Sequence, residues 1–182
     1  MFPITFQREN VANMSMDTVS LVCNFIARNM QREVPQDYVF KHHYCLMIYT
    51  GSSLCMSGLV LVRLIPEHVG RTVHELNSLC VEREFRNGGL GSEILRYVRE
   101  NLQDHDFLRL YVDAGPDHDR LVQFYHRNDL KTLYSNAIET CLQSHIHADW
   151  CFWRFVGVLV VVVMLACFLW TQIFPLNFFV PR

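Results

Sequence analysis

Residues 81–92 read Val-Glu-Arg-Glu-Phe-Arg-Asn-Gly-Gly-Leu-Gly-Ser, and this stretch constrains the fold of the chain more than any other. A run of β-formers, Thr72 to Val81, leads into it. A helix leads out, with Leu90, Ile94, Leu95, Val98 and Leu102 recurring on one face at a period of about 3.6. Strand, glycine turn and helix N-terminus together suit an anion. Glycine lets the backbone approach a ligand closely, and the first N–H groups of a helix have no intrahelical acceptor. Arg86 adds a positive charge at the entrance to the turn.

The spacing narrows the ligand. A nucleoside-triphosphate loop needs lysine after its glycines, and this one has none. Gly88, Gly89 and Gly91 do not follow the G-x-G-x-x-G pattern of dinucleotide sites. The pattern present is Arg86-x-x-Gly89-x-Gly91, after a strand ending Leu79-Cys80-Val81.

The 182 residues suffice for one domain with a sizeable core, and the formal charge is only −2. Lysines and arginines are scattered without a basic stripe, so nucleic acid is not an expected partner. All acidic residues precede Trp150, whereas Arg154 and Arg182 follow it, which separates a mildly acidic body from a nearly uncharged tail. The domain boundaries expected are 1–149 and 150–182. Seven cysteines, an odd number with no C-x-x-C pair, fit reduced buried thiols rather than a disulfide framework or a zinc site. His42-His43 and His145-Ile146-His147 have no cysteine or carboxylate partners at ligand spacing, so no metal is expected. The N-terminus has neither a basic n-region nor an apolar h-region, and a signal peptide is not expected.

Along the body, Ile4 to Arg8 reads as a strand and Asn13 to Met30 as an amphipathic helix. Gln31 to His43 reads as a loop or a short helix. Tyr44 to Thr50 and Leu54 to Ile65 form a hairpin around Gly51-Ser52-Ser53, and Pro66 to Gly70 the next turn. On the following strand Val73, Glu75, Asn77, Leu79 and Val81 alternate on one face. Leu76 is apolar on the other, a mixed pattern that fits a central, bulged strand. Phe107 to Val112 reads as a strand parallel to it. Asp117 or Asp119 caps a short helix bearing Leu121, Val122, Phe124 and Tyr125, and strands follow at Leu130 to Tyr134 and Thr140 to Ile146.

This element order, the Arg86/Gly89/Gly91 loop, the Leu79-x-Val81 strand end and the Phe124-Tyr125 helix resemble the GNAT superfamily of N-acetyltransferases, over roughly Tyr44 to Tyr134. The resemblance implies an α/β (α+β) fold with a mixed, mostly antiparallel sheet flanked by helices. It implies acetyl-CoA as co-substrate, with its pyrophosphate held by Arg86, Asn87, Gly88, Gly89, Leu90, Gly91 and Ser92. The pantetheine arm would pair along Leu79, Cys80 and Val81. His118 stands where relatives commonly carry Asn, and joins the cofactor set on that ground. Other departures are Arg83 for a common Pro, Asn87 for a small residue, Leu121 for Ala, and Asp129-Leu130 for Gly-Phe.

Acetyl transfer to an amine needs a neutral nucleophile, an oxyanion stabiliser and a proton for the departing thiolate. A lysine-like amine has a pKa of about 10.4 and must lose a proton first. Glu75 is the expected base, with His74 as competitor on the opposite face of a regular strand. Backbone N–H groups near Leu79 to Val81 would stabilise the oxyanion. The resemblance gives Tyr125 the role of proton donor to CoA. Direct attack in a ternary complex is implied, and Cys80 is not expected to carry an acyl group. The acceptor is an amine of a protein or small molecule.

From Phe155 to Phe174 twenty residues carry no charge, about 30 Å as a helix and the thickness of a bilayer core. Trp150, Trp153 and Trp170 flank or end the run, as interfacial anchors do. A tail-anchored enzyme with a cytosolic catalytic body is expected, in the endoplasmic reticulum or a connected membrane because the tail lacks a strongly basic end. The competing reading is a tethered pseudoenzyme that keeps the fold as a binding module. The departures around His118 and Asp129 favour it.

Overall fold

The computed structural model describes residues 3–31, 33–51, 55–67, 70–103 and 106–144. The chain divides into a unit of residues 1–146 and a second of 147–182. The apolar run at 155–174 lies outside the described residues, as do His145 and His147. Among the described residues no helix is long and apolar enough to cross a membrane.

The first unit is built on seven strands: β1 (Ile4–Asn10), β2 (Tyr44–Thr50), β3 (Met56–Glu67), β4 (Arg71–Val81), β5 (Phe107–Asp113), β6 (Leu130–Ser135) and β7 (Glu139–Ser144). Their order in the sheet is β1-β2-β3-β4-β5-β7-β6, and among the described residues only the β4–β5 pairing is parallel. Four helices cover the two faces: α1 (Met16–Met30), α2 (Gln36–Phe40), α3 (Leu90–Glu100) and α4 (His118–Arg127).

Binary patterning decides which helix covers which face. On β2, Tyr44, Leu46 and Ile48 face one way, with Val60, Val62, Leu108, Leu110 and the α3 residues Leu90, Ile94, Leu95 and Val98. Cys45 and Met47 face the other way, with Leu59, Leu61 and the α1 residues Val19, Val22, Phe25 and Ile26. Period two on a strand and period 3.6 on a helix meet here as two separate cores on one sheet. α1 starts where the Ser15 hydroxyl accepts from the Thr18 N–H, and ends at Gln31 in the left-handed region.

Several expected boundaries shift. α1 begins at Met16, after a 3-10 turn at Val11–Asn13, because Ser15 supplies the cap. The Gln31 to His43 segment contains α2. Pro66 is not in the turn: β3 runs through it to Glu67, with Pro66 opposite Thr72 near the strand end. Asp117 holds the cap position of α4 without a side-chain cap bond, its Oδ1 accepting instead from Arg120. The last strand ends, among the described residues, at Ser144.

The main correction concerns β4. Strict alternation predicts one face for Val73, Glu75, Asn77, Leu79 and Val81. Instead Ser78 pairs with Leu61 and Leu76 with Val62, leaving Asn77 as an extra residue. This bulge reverses the alternation. Leu79 and Val81 consequently pack with Leu76 on the α3 face, while Cys80 joins the α1 core.

Candidate active site

β4 and β5 pair from Val73↔Phe107 to Leu76↔Leu110 and then part. β4 continues to Val81, still paired with β3, and β5 continues to Asp113, now paired with β7. The edge of β4 from Asn77 to Val81 therefore faces an opening instead of a neighbouring strand. Backbone groups along such an edge need a partner, and an extended ligand arm supplies one.

At the mouth of the opening lies the glycine loop. Asn87 (φ 64) and Gly89 (φ 86) are both left-handed, and α3 begins at Leu90. Asparagine tolerates that region better than other side chains, and glycine enters it without a Cβ penalty. Among the described residues, the N–H groups of Asn87, Gly88, Gly89, Leu90 and Gly91 donate to no backbone carbonyl. Asn87, Gly88 and Gly89 are exposed, so a cradle of free donors opens to solvent at a helix N-terminus. Leu90 turns its side chain into the core, leaving only its backbone to the loop. Gly91 serves closeness rather than torsion: a Cβ there would stand 3.1 Å from Cζ of Phe124. Ser92 lies in the first turn, its N–H donating to the Gly89 carbonyl.

Arg86 is exposed and bonds the protein through Nε and Nη2. Its Nε donates to the Val81 carbonyl at 2.9 Å, and Nη2 to both the carbonyl and Oδ1 of Asn29 at 3.1 Å. It staples the loop to the end of α1, where Arg28 and Asn29 also bond Glu82. These bonds hold the loop in place and engage Nε and Nη2 of the arginine, beside the backbone donors of Asn87 to Gly91.

α4 lies against β5, β6 and β7 and packs Tyr125 against the α3-side core, within electrostatic reach of Cys80 near the end of β4. Phe124 and Tyr125 meet edge to face, with centroids 5.1 Å apart. The Tyr125 hydroxyl has no hydrogen-bond partner among the described residues, and no buried polar side-chain atom there lacks one, so the hydroxyl reaches solvent. Burial, with a smaller contribution from Cys80, pushes its pKa up to about 12. The phenol therefore keeps its proton at neutral pH, as a donor must.

Glu75 precedes the bulge and is 5% exposed. Its Oε1 accepts from Arg63 at 2.7 Å, and its other oxygen has no hydrogen-bond partner among the described residues. His74 faces the other way and away from the opening. Its Nε2 donates to Asp106 at 3.2 Å and its Nδ1 accepts from the Tyr44 hydroxyl at 3.0 Å. Desolvation lowers its pKa, Asp106 opposing, and this keeps it neutral. His118 opens α4 with both ring nitrogens engaged, Nδ1 to Asp119 at 3.0 Å and Nε2 to Thr140 at 2.9 Å. It ties α4 to β7.

Of the residues expected to hold the cofactor, Leu79, Cys80 and Val81 end β4, and Arg86 to Ser92 form the loop and the start of α3. His118 opens α4 ahead of Tyr125, and Glu75 precedes the bulge. Sequence reasoning reads Gln31 to His43 as a loop or a short helix and gives Tyr38 and His42 no place beside β4. Tyr38 bonds Ser78 across to β4 at 2.9 Å, and His42 bonds Asn77 at 3.1 Å. Their only signal was a polar, aromatic segment without periodicity. Among the described residues no group of His, Cys, Asp and Glu is arranged to hold a metal. Among the described residues, Cys23, Cys45, Cys80 and Cys141 are buried and Cys55 is exposed.

The acetyltransferase (GNAT) family model matches residues 20–129. The chain belongs to this family. It is an N-acetyltransferase that uses acetyl-CoA. Solved structures share its fold. Arabidopsis thaliana Naa50, in complex with the bisubstrate analogue CoA-Ac-MVNAL, is 14% identical at a TM-score of 0.61 and covers 77% of this chain and 98% of its own. Arabidopsis thaliana NAA60, also with a bisubstrate analogue, is 11% identical at a TM-score of 0.59, covering 78% and 97%. The Escherichia coli ribosomal-protein-S18-alanine N-acetyltransferase is 10% identical at a TM-score of 0.58, covering 78% and 94%. No curated protein matches by sequence.

Proposed function

We propose that this enzyme transfers the acetyl group of acetyl-CoA to a primary amine, with a protein N-terminus as the favoured acceptor, while tethered to a membrane by residues 155–174. The observation that carries the chemistry is the end of β4–β5 pairing at Leu76↔Leu110, with the unpartnered Tyr125 hydroxyl over the opening. Acetyl-CoA supplies an activated thioester. The chain supplies the rest.

The loop from Asn87 to Gly91 fits a pyrophosphate through its N–H groups, and the β4 edge from Asn77 to Val81, which β5 leaves at Leu76, fits the pantetheine amides. The same edge offers N–H donors where negative charge develops on the acyl oxygen. Tyr125 holds a proton that a departing thiolate takes up. Glu75, from the α1 and α2 side, receives the proton of the incoming amine at the oxygen that Arg63 leaves free, directly or through water. Acid and base thereby stand on opposite sides of the opening. A protein N-terminus is favoured because Naa50 carries a peptide-linked analogue and the bacterial neighbour acts on a ribosomal-protein alanine. An α-amine also has a pKa of about 8, which asks less of the base than a lysine does.

The tether rests on the twenty uncharged residues and their tryptophans. With it the catalytic body faces the cytosol, on the endoplasmic reticulum or a connected membrane.

The test reads CoA thiol release by the full chain in lipid nanodiscs, offered peptides with a free or an acetylated N-terminus. Release with the free peptide alone supports the proposal. Equal release with both, or release only with lysine peptides, sends the acceptor assignment elsewhere. Alkaline extraction of membranes tests the tether, since release of the chain into the supernatant would overturn it.

A further inference from the structure

Asn77 is the extra residue of the β4 bulge and the first residue past the last rung to β5. Its backbone geometry sets where the opening begins. What holds it lies on α2 and just after. Nδ1 of His42 stands 3.3 Å from the Val39 carbonyl, which only accepts, so Nδ1 carries the proton. Nε2 is then a lone pair, and the Asn77 side-chain amide donates to it at 3.1 Å. His42 is 6% exposed. The Tyr38 ring packs edge-on against it, 5.0 Å between centroids, and the Tyr38 hydroxyl reaches the Asn77 carbonyl at 3.5 Å. The bulge residue is thus gripped by side chain and backbone from one segment.

We propose that neutral His42 is a positioning residue for acetyl transfer, fixing the β4 bulge through Asn77 so that the N–H groups beyond it meet the reacting carbonyl. This rests on the reading of the opening given above. His42 itself touches neither substrate. A bulge leaves one residue unpaired in the ladder, so its conformation depends on outside partners. Removing a buried acceptor leaves the amide of Asn77 without its bond.

The ring also has a route to protons. It borders a groove of about 870 Å³ lined with Arg8, Lys41 and His43. Arg63 on β3 and Glu75 on β4 act on it from below with opposite signs, and Tyr38 packs beside it. Desolvation lowers its pKa, the Val39 carbonyl opposing, so the neutral ring is the resting form. Protonation turns Nε2 into a donor facing a donor. Rotating the Asn77 amide restores one bond but leaves a charge buried beside Arg63.

The test compares wild type, His42→Phe and His42→Gln as full chains in nanodiscs. Phe keeps the ring volume and removes both nitrogens, whereas Gln keeps an acceptor and cannot titrate near neutrality. Hydrogen exchange at residues 77–81 should quicken about tenfold in His42→Phe, stay near wild type in His42→Gln, and be unchanged in α3 in both. With a free-amine peptide, kcat should fall about tenfold in His42→Phe, with a smaller rise in the KM for acetyl-CoA as the pantetheine edge loosens. The acid limb of the wild-type kcat profile should be missing in His42→Gln. In the pair His42→Phe and Asn77→Ala, the double variant should lose no more than either single one. Unchanged exchange at 77–81 in a folded His42→Phe protein, or additive losses in the double variant, overturns the inference. Failure of the acetyl-transfer reading would show separately, as absent thiol release in wild type.

Discussion

Leu76 and Leu110 form the last rung between β4 and β5, and both side chains enter the same core as Ile94 of α3. Below this pair the strands share a ladder. Above it each pairs only with its outer neighbour, and the gap receives the glycine loop at its mouth and Tyr125 from α4. The separation is anchored on both sides: Asn77 is held by His42, and β5 is drawn to β7 through Asp113↔Glu139.

Tyr125→Phe should remove the proton donor and little else. Thiol release should fall by about 10²-fold, within the range for general acid catalysis. Excess acetyl-CoA should still raise the thermal midpoint by several degrees, because a ligand at 100 times its Kd stabilises by about 2.7 kcal/mol. Full-rate release by the variant would refute the donor role.

Gly89→Ala tests the loop torsion. At φ 86 a Cβ costs about 1–2 kcal/mol, and the KM for acetyl-CoA should rise with it. Gly115→Ala is the control, since nothing lies within 4 Å of its added Cβ and its φ is not left-handed. Urea midpoints of the two variants should separate accordingly.

Gly91→Val should act at a distance of one residue from Tyr125. The new side chain meets Phe124 at 3.1 Å, and overpacking of this kind costs about 1–3 kcal/mol. Displacing Phe124 moves its edge-to-face partner Tyr125, so kcat should fall more than the melting temperature predicts. Coupling with Phe124→Leu, measured in a double-mutant cycle, should recover part of the loss.

Acidification should weaken the fold through two histidines. Desolvation holds the pKa of both His42 and His74 below the ordinary 6.5. The unfolded chain then binds more protons as pH falls through 6.5 toward the lowered values, so stability is full above 6.5 and is lost across that window. Urea titrations at pH 7.5 and 5.5 should give a lower midpoint at the acid end. Variants carrying His74→Gln should show a shallower dependence.

The fold class and the strand–loop–helix unit were legible in the sequence. The period of 3.6 through Leu90, Ile94, Leu95 and Val98 marked α3, and Arg86, Gly89 and Gly91 marked the loop ahead of it. Tyr125 follows from the resemblance to the family, and Glu75 from its place on the strand before the loop. These features are local: torsion, periodicity and chain order are written within a dozen residues of one another.

The tertiary structure decided how those residues are used. Alternation assigned Leu79 to the face of Glu75, and one extra residue at Asn77 reversed it, because register is set by the partner strand β3 and not by β4 alone. Arg86 reads as an anion ligand in sequence, and the fold adds bonds from its Nε to Val81 and from its Nη2 to Asn29, fifty-seven residues away. His42 and Tyr38 gave no pattern at all, since their partners lie on another strand. Local stereochemistry fixed the loop and the helices, whereas bonds between distant segments, which close only when the sheet forms, fixed the opening between β4 and β5.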